Sequence, residues 1–169
     1  MPDPTLGGMT IDPSMLAWLD QEDSRLAQTI RSHRVAVQYV IRGETSDEPP
    51  FGYTVGLYGL GHPELVVVGR EAGAAHDILG RLAGEVRDGR DLVPGELVRW
   101  PDWPELRLTV EVLPNPGDVV LVANRFYRRP VEYSVPAHQL TWAVPGHDFP
   151  WEGQEIEPDV QPRPGTWRA

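Results

Sequence analysis

The sequence contains neither cysteine nor lysine. Without cysteine there is no disulfide, no thiolate nucleophile and no Cys-based zinc site. Without lysine there is no Schiff-base amine and no P-loop. No apolar run approaches the ~20 residues that span a bilayer. The opening stretch MPDPTLGGMTIDP has neither the positive nor the apolar segment of a secretory signal. Positive charge is scarce: 15 basic residues, all arginine, stand against 25 acidic ones, for a net charge of −10. A surface of that sign repels phosphate backbones, which argues against general nucleic-acid binding. The expectation is a soluble, acidic, cytoplasmic protein with no membrane and no nucleic-acid partner.

What is present fits one domain in 169 residues. At that size a single core buries roughly two thirds of the unfolded surface, so no covalent staple is needed. Asp12-Pro13 has the form of a helix start, an N-cap carboxylate followed by proline at the first helical position. The spacing predicts a helix from Pro13 to about His33, with Leu16, Leu19, Leu26 and Ile30 near one stripe. Val35 to Arg42 alternates as a half-buried strand, with Val35, Val37, Tyr39 and Ile41 on one side. A polar loop over residues 43–50 ends in two prolines. Strands follow at Phe51–Leu57 and Glu64–Gly69; the second is apolar on both faces, as a mid-sheet strand is. Ile78, Leu79, Leu82 and Val86 form the buried stripe of a helix over Glu71–Asp88, stopped by Gly89. Residues 90–105 read as loop. Leu106–Leu113 alternates, with Leu108, Val110 and Val112 inward and Arg107, Thr109 and Glu111 outward. A short helix from Pro116 to about Arg129 and a last strand over His138–Val144 complete the pattern. The connections between the first three strands are too short for parallel crossovers. The fold class is therefore α+β: a single, mainly antiparallel sheet of about five strands with about three packed helices. Residues 1–144 form that domain. Residues 145–169, rich in Pro, Glu and Gly, form a draped or partly disordered tail.

The stretch GYTVGLYGLGHPEL, residues 52–65, is the most suggestive. In its strand Phe51, Tyr53, Val55 and Leu57 share one face. Gly52, Thr54 and Gly56 share the other, which is nearly bare. A bare sheet face admits either a closely packed helix or backbone, or a ligand floor. His62 and Glu64 flank Pro63 at i and i+2, which places both on one face at a strand mouth. They form a candidate acid–base pair, or else a turn in which His62 caps a carbonyl and Glu64 meets an arginine.

Tyr53-Thr54-Val55-Gly56-Leu57 and Gly61-His62-Pro63-Glu64-Leu65 resemble the YTxGL and GHPEL blocks of a bacterial family, domain of unknown function 4262. The likeness extends to Ala123-Asn124-Arg125-Phe126-Tyr127, to Gln139-Leu140-Thr141-Trp142 and to Phe149-Pro150-Trp151-Glu152, so that it covers about residues 35–152. Where the family usually has Leu-Gln, this chain has His138-Gln139-Leu140. The resemblance implies a bacterial cytoplasmic protein and no particular reaction.

Other patterns carry less. Arg125, Arg128 and Arg129, at i, i+3 and i+4, would share a helix face suited to a carboxylate or phosphate, or to the protein's own acids. No HExxH or comparable spacing gives a metal site, and His138, in phase with Leu140 and Trp142, fits a hydrogen-bonded core histidine. No serine lies in a nucleophile elbow, and the Gly59-Leu60-Gly61 loop leads into a strand rather than a helix, unlike a dinucleotide fingerprint. Two functions remain. One is a small-molecule-binding protein or enzyme with its site at the GHPEL strand mouth: His62 and Glu64 catalytic; Tyr53, Thr54, Gly56, Arg125, Tyr127 and Trp142 binding a small anionic ligand; no metal; cofactor unknown. The alternative is a non-catalytic interaction or regulatory module using the aromatic segments Arg99–Pro104 and Phe149–Glu152. The oligomeric state stays open, a homodimer included.

Overall fold

The structure, a computed structural model, describes residues 5–6, 9–10, 12–42 and 47–169. The opening stretch and the loop over 43–50 therefore lie partly outside the described residues. Strands β1 (Thr5–Leu6) and β2 (Met9–Thr10) pair with each other. Helix α1 (Pro13–His33) begins as its sequence dictates: the Asp12 carboxylate accepts the Ser14 amide at 2.8 Å and Pro13 takes the first turn. Leu26 is its one buried residue, and Leu16, expected on the buried stripe, is exposed.

Strands β3 (Ala36–Val40), β4 (Phe51–Val55) and β5 (Glu64–Val68) follow, then α2 (Ala72–Arg87), β6 (Leu97–Trp100), β7 (Trp103–Val112), α3 (Leu121–Phe126) and β8 (Ala137–Ala143). Strands β3 to β8 make one sheet in the order β3-β4-β5-β8-β7-β6. Among the described residues the fold is α+β with three α-helices, but the sheet has six strands and is mixed. Strands β3, β4 and β5 form one antiparallel unit, as expected, and β6, β7 and β8 form a second. A parallel seam between β5 and β8 joins the two. The strand missing from the expected five is β6, four residues long, interrupted by an irregularity between Val98 and Trp100, and set between Pro94-Gly95 and Pro101.

Both sheet faces are covered. On one, Leu65 and Val67 of β5, Leu108 and Val110 of β7, and Leu140 and Trp142 of β8 pack with Ile78, Leu79 and Leu82 of α2. Each of those buried helix side chains contributes about 1.5–3 kcal/mol of hydrophobic stabilisation. On the other, Phe51, Tyr53 and Val55 of β4 and Val66 and Val68 of β5 meet Leu26 of α1 and Ala123 of α3. Strand β5 is apolar on both faces because both are buried. Val112, expected inward, is exposed at the end of β7.

The chain after Pro145 runs across the sheet. Ile156 joins the α2-side core. Where β8 has lost its β5 partner, the Gln161 amide stands in for a strand. Its oxygen accepts the Trp142 N–H and its nitrogen donates to the Trp142 carbonyl, both at 2.8 Å. Gln139 donates to the Pro162 carbonyl and accepts from the Trp167 indole, whose ring meets Phe51 edge-on. Among the described residues no helix is long and apolar enough to cross a membrane.

Candidate functional site

The glycine-rich stretch is shaped by Glu64. Strands β4 and β5 pair only as far as Tyr53 and Val66. Beyond that point the strands part, and the Thr54 and Glu64 side chains fill the gap. The Thr54 hydroxyl donates to Glu64 Oε2 at 2.6 Å and accepts the Leu65 amide at 2.9 Å. The Glu64 carboxylate also accepts the amides of Gly56 (2.9 Å), Leu57 (3.3 Å) and Tyr58 (3.2 Å). It thereby caps the short 3-10 turn Tyr58–Leu60. Burial pushes the Glu64 carboxyl up to about 7, against the downward pull of these four donors.

The bare strand face has two different neighbours. At Gly52 a Cβ would sit 3.2 Å from Leu79 Cδ1, so α2 covers that position. Gly56 has φ of 131°, and a Cβ there would overlap the Arg34 carbonyl oxygen and lie 2.9 Å from Val35 Cα. Backbone, not ligand, fills that space. The turn at Gly56 also sends Leu57 to the α2-side core, away from Phe51, Tyr53 and Val55.

His62 and Glu64 do not act on a common point. His62 is 4% exposed. Its Nε2 accepts the Leu92 amide at 3.1 Å, which fixes the proton on Nδ1, where it is donated to the Pro63 carbonyl at 2.7 Å. Its ring lies edge-to-face with His138, centroids 6.2 Å apart. His138 Nδ1 is buried without a partner among the described residues. Burial and the neighbouring His62 both hold the His138 imidazole below its usual value.

The other candidates divide into two groups. The Tyr53 hydroxyl accepts the Val122 amide at 3.1 Å, and burial pushes Tyr53 up to about 12. The Tyr127 hydroxyl accepts the Gly59 amide at 3.1 Å, and its ring packs edge-on against Tyr58. Thr54, Gly56, Glu64 and Tyr127 thus gather around the Gly56–Leu60 loop. Trp142 lies in the α2-side core, its indole donating to the Val68 carbonyl at 2.7 Å under the Arg70 guanidinium. Arg125 is bound to Asp23 of α1 at 2.6 Å. The expected arginine face does not form, because α3 ends at Phe126 and Arg128 takes φ of 55°. Arg129 donates to the Tyr133 carbonyl instead.

Beside the loop lies a cavity of about 370 Å³, lined by Arg31 and Arg34 from the end of α1, by Gly56, Gly59 and Leu60, and by Phe126 and Tyr127. Arg34 ends α1 with φ of 71°, a conformation that costs a non-glycine residue about 1–2 kcal/mol. Among the described residues Arg31 and Arg34 form no ion pair, as is also true of Arg70, Arg87, Arg99, Arg128, Arg129 and Arg168, whereas Arg25, Arg42, Arg81, Arg90, Arg107, Arg125 and Arg163 each have an acidic partner. Sequence reasoning passed over Arg31 and Arg34. Their signal was a basic last turn with no acid at i−4, a pattern that also serves a helix dipole. Among the described residues no three His, Asp or Glu side chains are placed to hold a metal ion.

Neither a curated protein nor a solved structure matches this chain. A family model, Domain of unknown function (DUF4262), matches residues 29–155 and so takes in the Glu64 loop, α3 and the Phe149–Glu152 block. The chain belongs to that family.

Proposed function

We propose that the protein binds a small anionic molecule, a carboxylate or phosphate, in the cleft between the end of α1, the Gly56–Leu60 loop and Tyr127. The observation that carries this reading is the pair of unpartnered arginines on a 370 Å³ cavity in a chain of net charge −10. Two exposed arginines lining one cavity give it a positive face, and guanidinium forks suit carboxylate and phosphate oxygens. The strained backbone at Arg34 supports it, since strain of this kind gathers at functional sites. In this reading Gly56 and Tyr127 line the site, while Thr54 and Glu64 hold the loop in shape from beneath. Its function is binding rather than catalysis. The Glu64 carboxylate is engaged by four donors, and the His62 lone pair is engaged by Leu92.

The test is a titration with citrate and with inorganic phosphate, followed by ¹H–¹⁵N NMR. The Gly59 amide and the arginine Nε signals should move. The Arg31→Gln/Arg34→Gln double variant should weaken binding by about tenfold or more, and added salt should weaken it too. No movement at Gly59 up to about 20 mM of either anion, a concentration at which even very weak sites fill, would sink the reading.

A further inference from the structure

A second cleft lies on the far side of β7 from the α2 core. It has a volume of about 820 Å³, within the ~300–1,000 Å³ typical of small-molecule sites. Arg107, Thr109 and Glu111 form its floor, and the Phe149–Glu152 block and Arg163 form one wall.

Three large apolar side chains stand exposed around it: Leu97 (50%), Val112 (55%) and Trp151 (53%). Scattered exposed hydrophobics need no explanation, but three around one cleft do. The charges of the cleft cancel internally. Arg163 forks onto Glu111 at 2.8 and 2.9 Å, and Arg107 onto Glu152 at 3.1 and 3.3 Å. The flat groups are layered. The Arg107 guanidinium lies over Phe149, Phe149 stacks on Trp151 at 5.1 Å, and the Arg163 guanidinium lies over Trp151.

We infer that this cleft binds an uncharged, planar heterocycle with hydrogen-bond donors and acceptors on its edge, the chemistry shared by nucleobases and isoalloxazine rings. Each guanidinium keeps N–H donors beyond those given to its glutamate, and each carboxylate keeps lone pairs, so the floor offers both kinds of partner. An anion would meet Glu111 and Glu152 beside each arginine, and a cation would meet the arginines. A hydrocarbon would cover the remaining N–H donors and lone pairs of these ion pairs without pairing them, which counts against it. A flat ring extends the layered arginine–aromatic stack, because guanidinium faces accept such rings. This inference is independent of the Arg31–Arg34 site, which is built from different residues and takes an anion rather than an uncharged ring.

The experiment titrates the full chain with adenosine, guanosine, uridine and riboflavin in turn, read by the Trp151 indole and Arg163 Nε signals in ¹H–¹⁵N spectra. At least one should bind with Kd below about 1 mM, and the responsive compound identifies the source. Its phosphorylated counterpart should bind no more tightly. Trp151→Ala should weaken binding about tenfold or more. Leu97→Arg, at a rim position that is 50% exposed, should block it as well, which keeps the test valid if Trp151→Ala fails to fold. The inference is overturned if none of the four compounds moves these signals. It is equally overturned if a phosphorylated counterpart binds more than about tenfold tighter, or if Leu97→Arg leaves binding unchanged.

Discussion

The Thr54 hydroxyl and the Glu64 carboxylate meet at 2.6 Å in the opening where β4 and β5 cease to pair. One contact thus links a strand end to the loop that the same carboxylate caps. Because Glu64 is buried and its carboxyl is pushed up to about 7, the folded protein holds a proton there that the unfolded chain releases near 4.5.

The sign of the resulting pH dependence follows. Between about pH 4.5 and 7 the native state binds more protons at Glu64 than the unfolded state, so this residue's contribution to stability falls as pH rises through that window and levels off above it. The full span is worth about 3 kcal/mol at most. Glu64→Gln removes this dependence and leaves loop amides short of acceptors, at a cost of about 1–3 kcal/mol. Urea unfolding of both proteins at intervals from pH 4.5 to 8 measures it. Identical pH slopes would show that Glu64 does not titrate in this range.

His138 contributes the opposite slope. Its imidazole is held below 6.5, so the neutral ring favours the fold above that pH and the contribution is lost as pH falls through 6.5 and below. NMR titration of the imidazole signals should place His138 below 6.5. His62→Ala should raise it only modestly, because burial is the larger cause. A midpoint at or above 6.5 would contradict the buried environment.

Gly52 of β4 and Gly56, just beyond the strand's end, should respond differently to alanine. Gly56→Ala forces a Cβ into the Arg34 carbonyl at a positive φ and should cost at least about 2–3 kcal/mol. Gly52→Ala asks only that the Leu79 side chain shift slightly and should cost about 1 kcal/mol or less. Thermal unfolding of the two variants side by side checks the order.

Gln161→Ala removes the two hydrogen bonds that complete β8 and leaves the Trp142 N–H and carbonyl without partners. A loss of about 2–4 kcal/mol is expected from two buried unpaired backbone groups. Amide exchange at Trp142 should rise with it. Unchanged protection there would mean that the Gln161 contact is dispensable.

The antiparallel unit β3-β4-β5 was legible because alternation, apolar continuity and short connections each act locally. Leu97–Trp100 was not, since four residues between Pro-Gly and Pro carry too little periodicity to stand out. The pairing of β5 with β8 was illegible for a different reason: nothing in Ala137–Ala143 records which distant strand it will meet. The same limit governed the site. GHPEL drew attention to its loop, but Glu64 read as an acid–base partner of His62 or as the partner of an arginine, and nothing in the sequence shows the amides of Gly56, Leu57 and Tyr58 converging on it instead. Arg125 read as a ligand-binding cation or as the partner of one of the protein's own acids, and only the packing of α1 selects Asp23.

The parallel seam has a consequence for how the protein assembles. The hairpins β4-β5 and β6-β7 can close within ~1–10 μs, since their pairings are local. The seam pairs residue 64 with residue 137, so it must bear the entropy of closing a long loop before any of its contacts form. Joining the two units, rather than forming either, should therefore set the folding rate. The same division makes the exposed turn at Gly89, between α2 and β6, a natural point at which to sever the chain. Co-expressed as residues 1–89 and 90–169, each piece carries its own hairpins, and the pieces find each other through β5, β8 and the underside of α2.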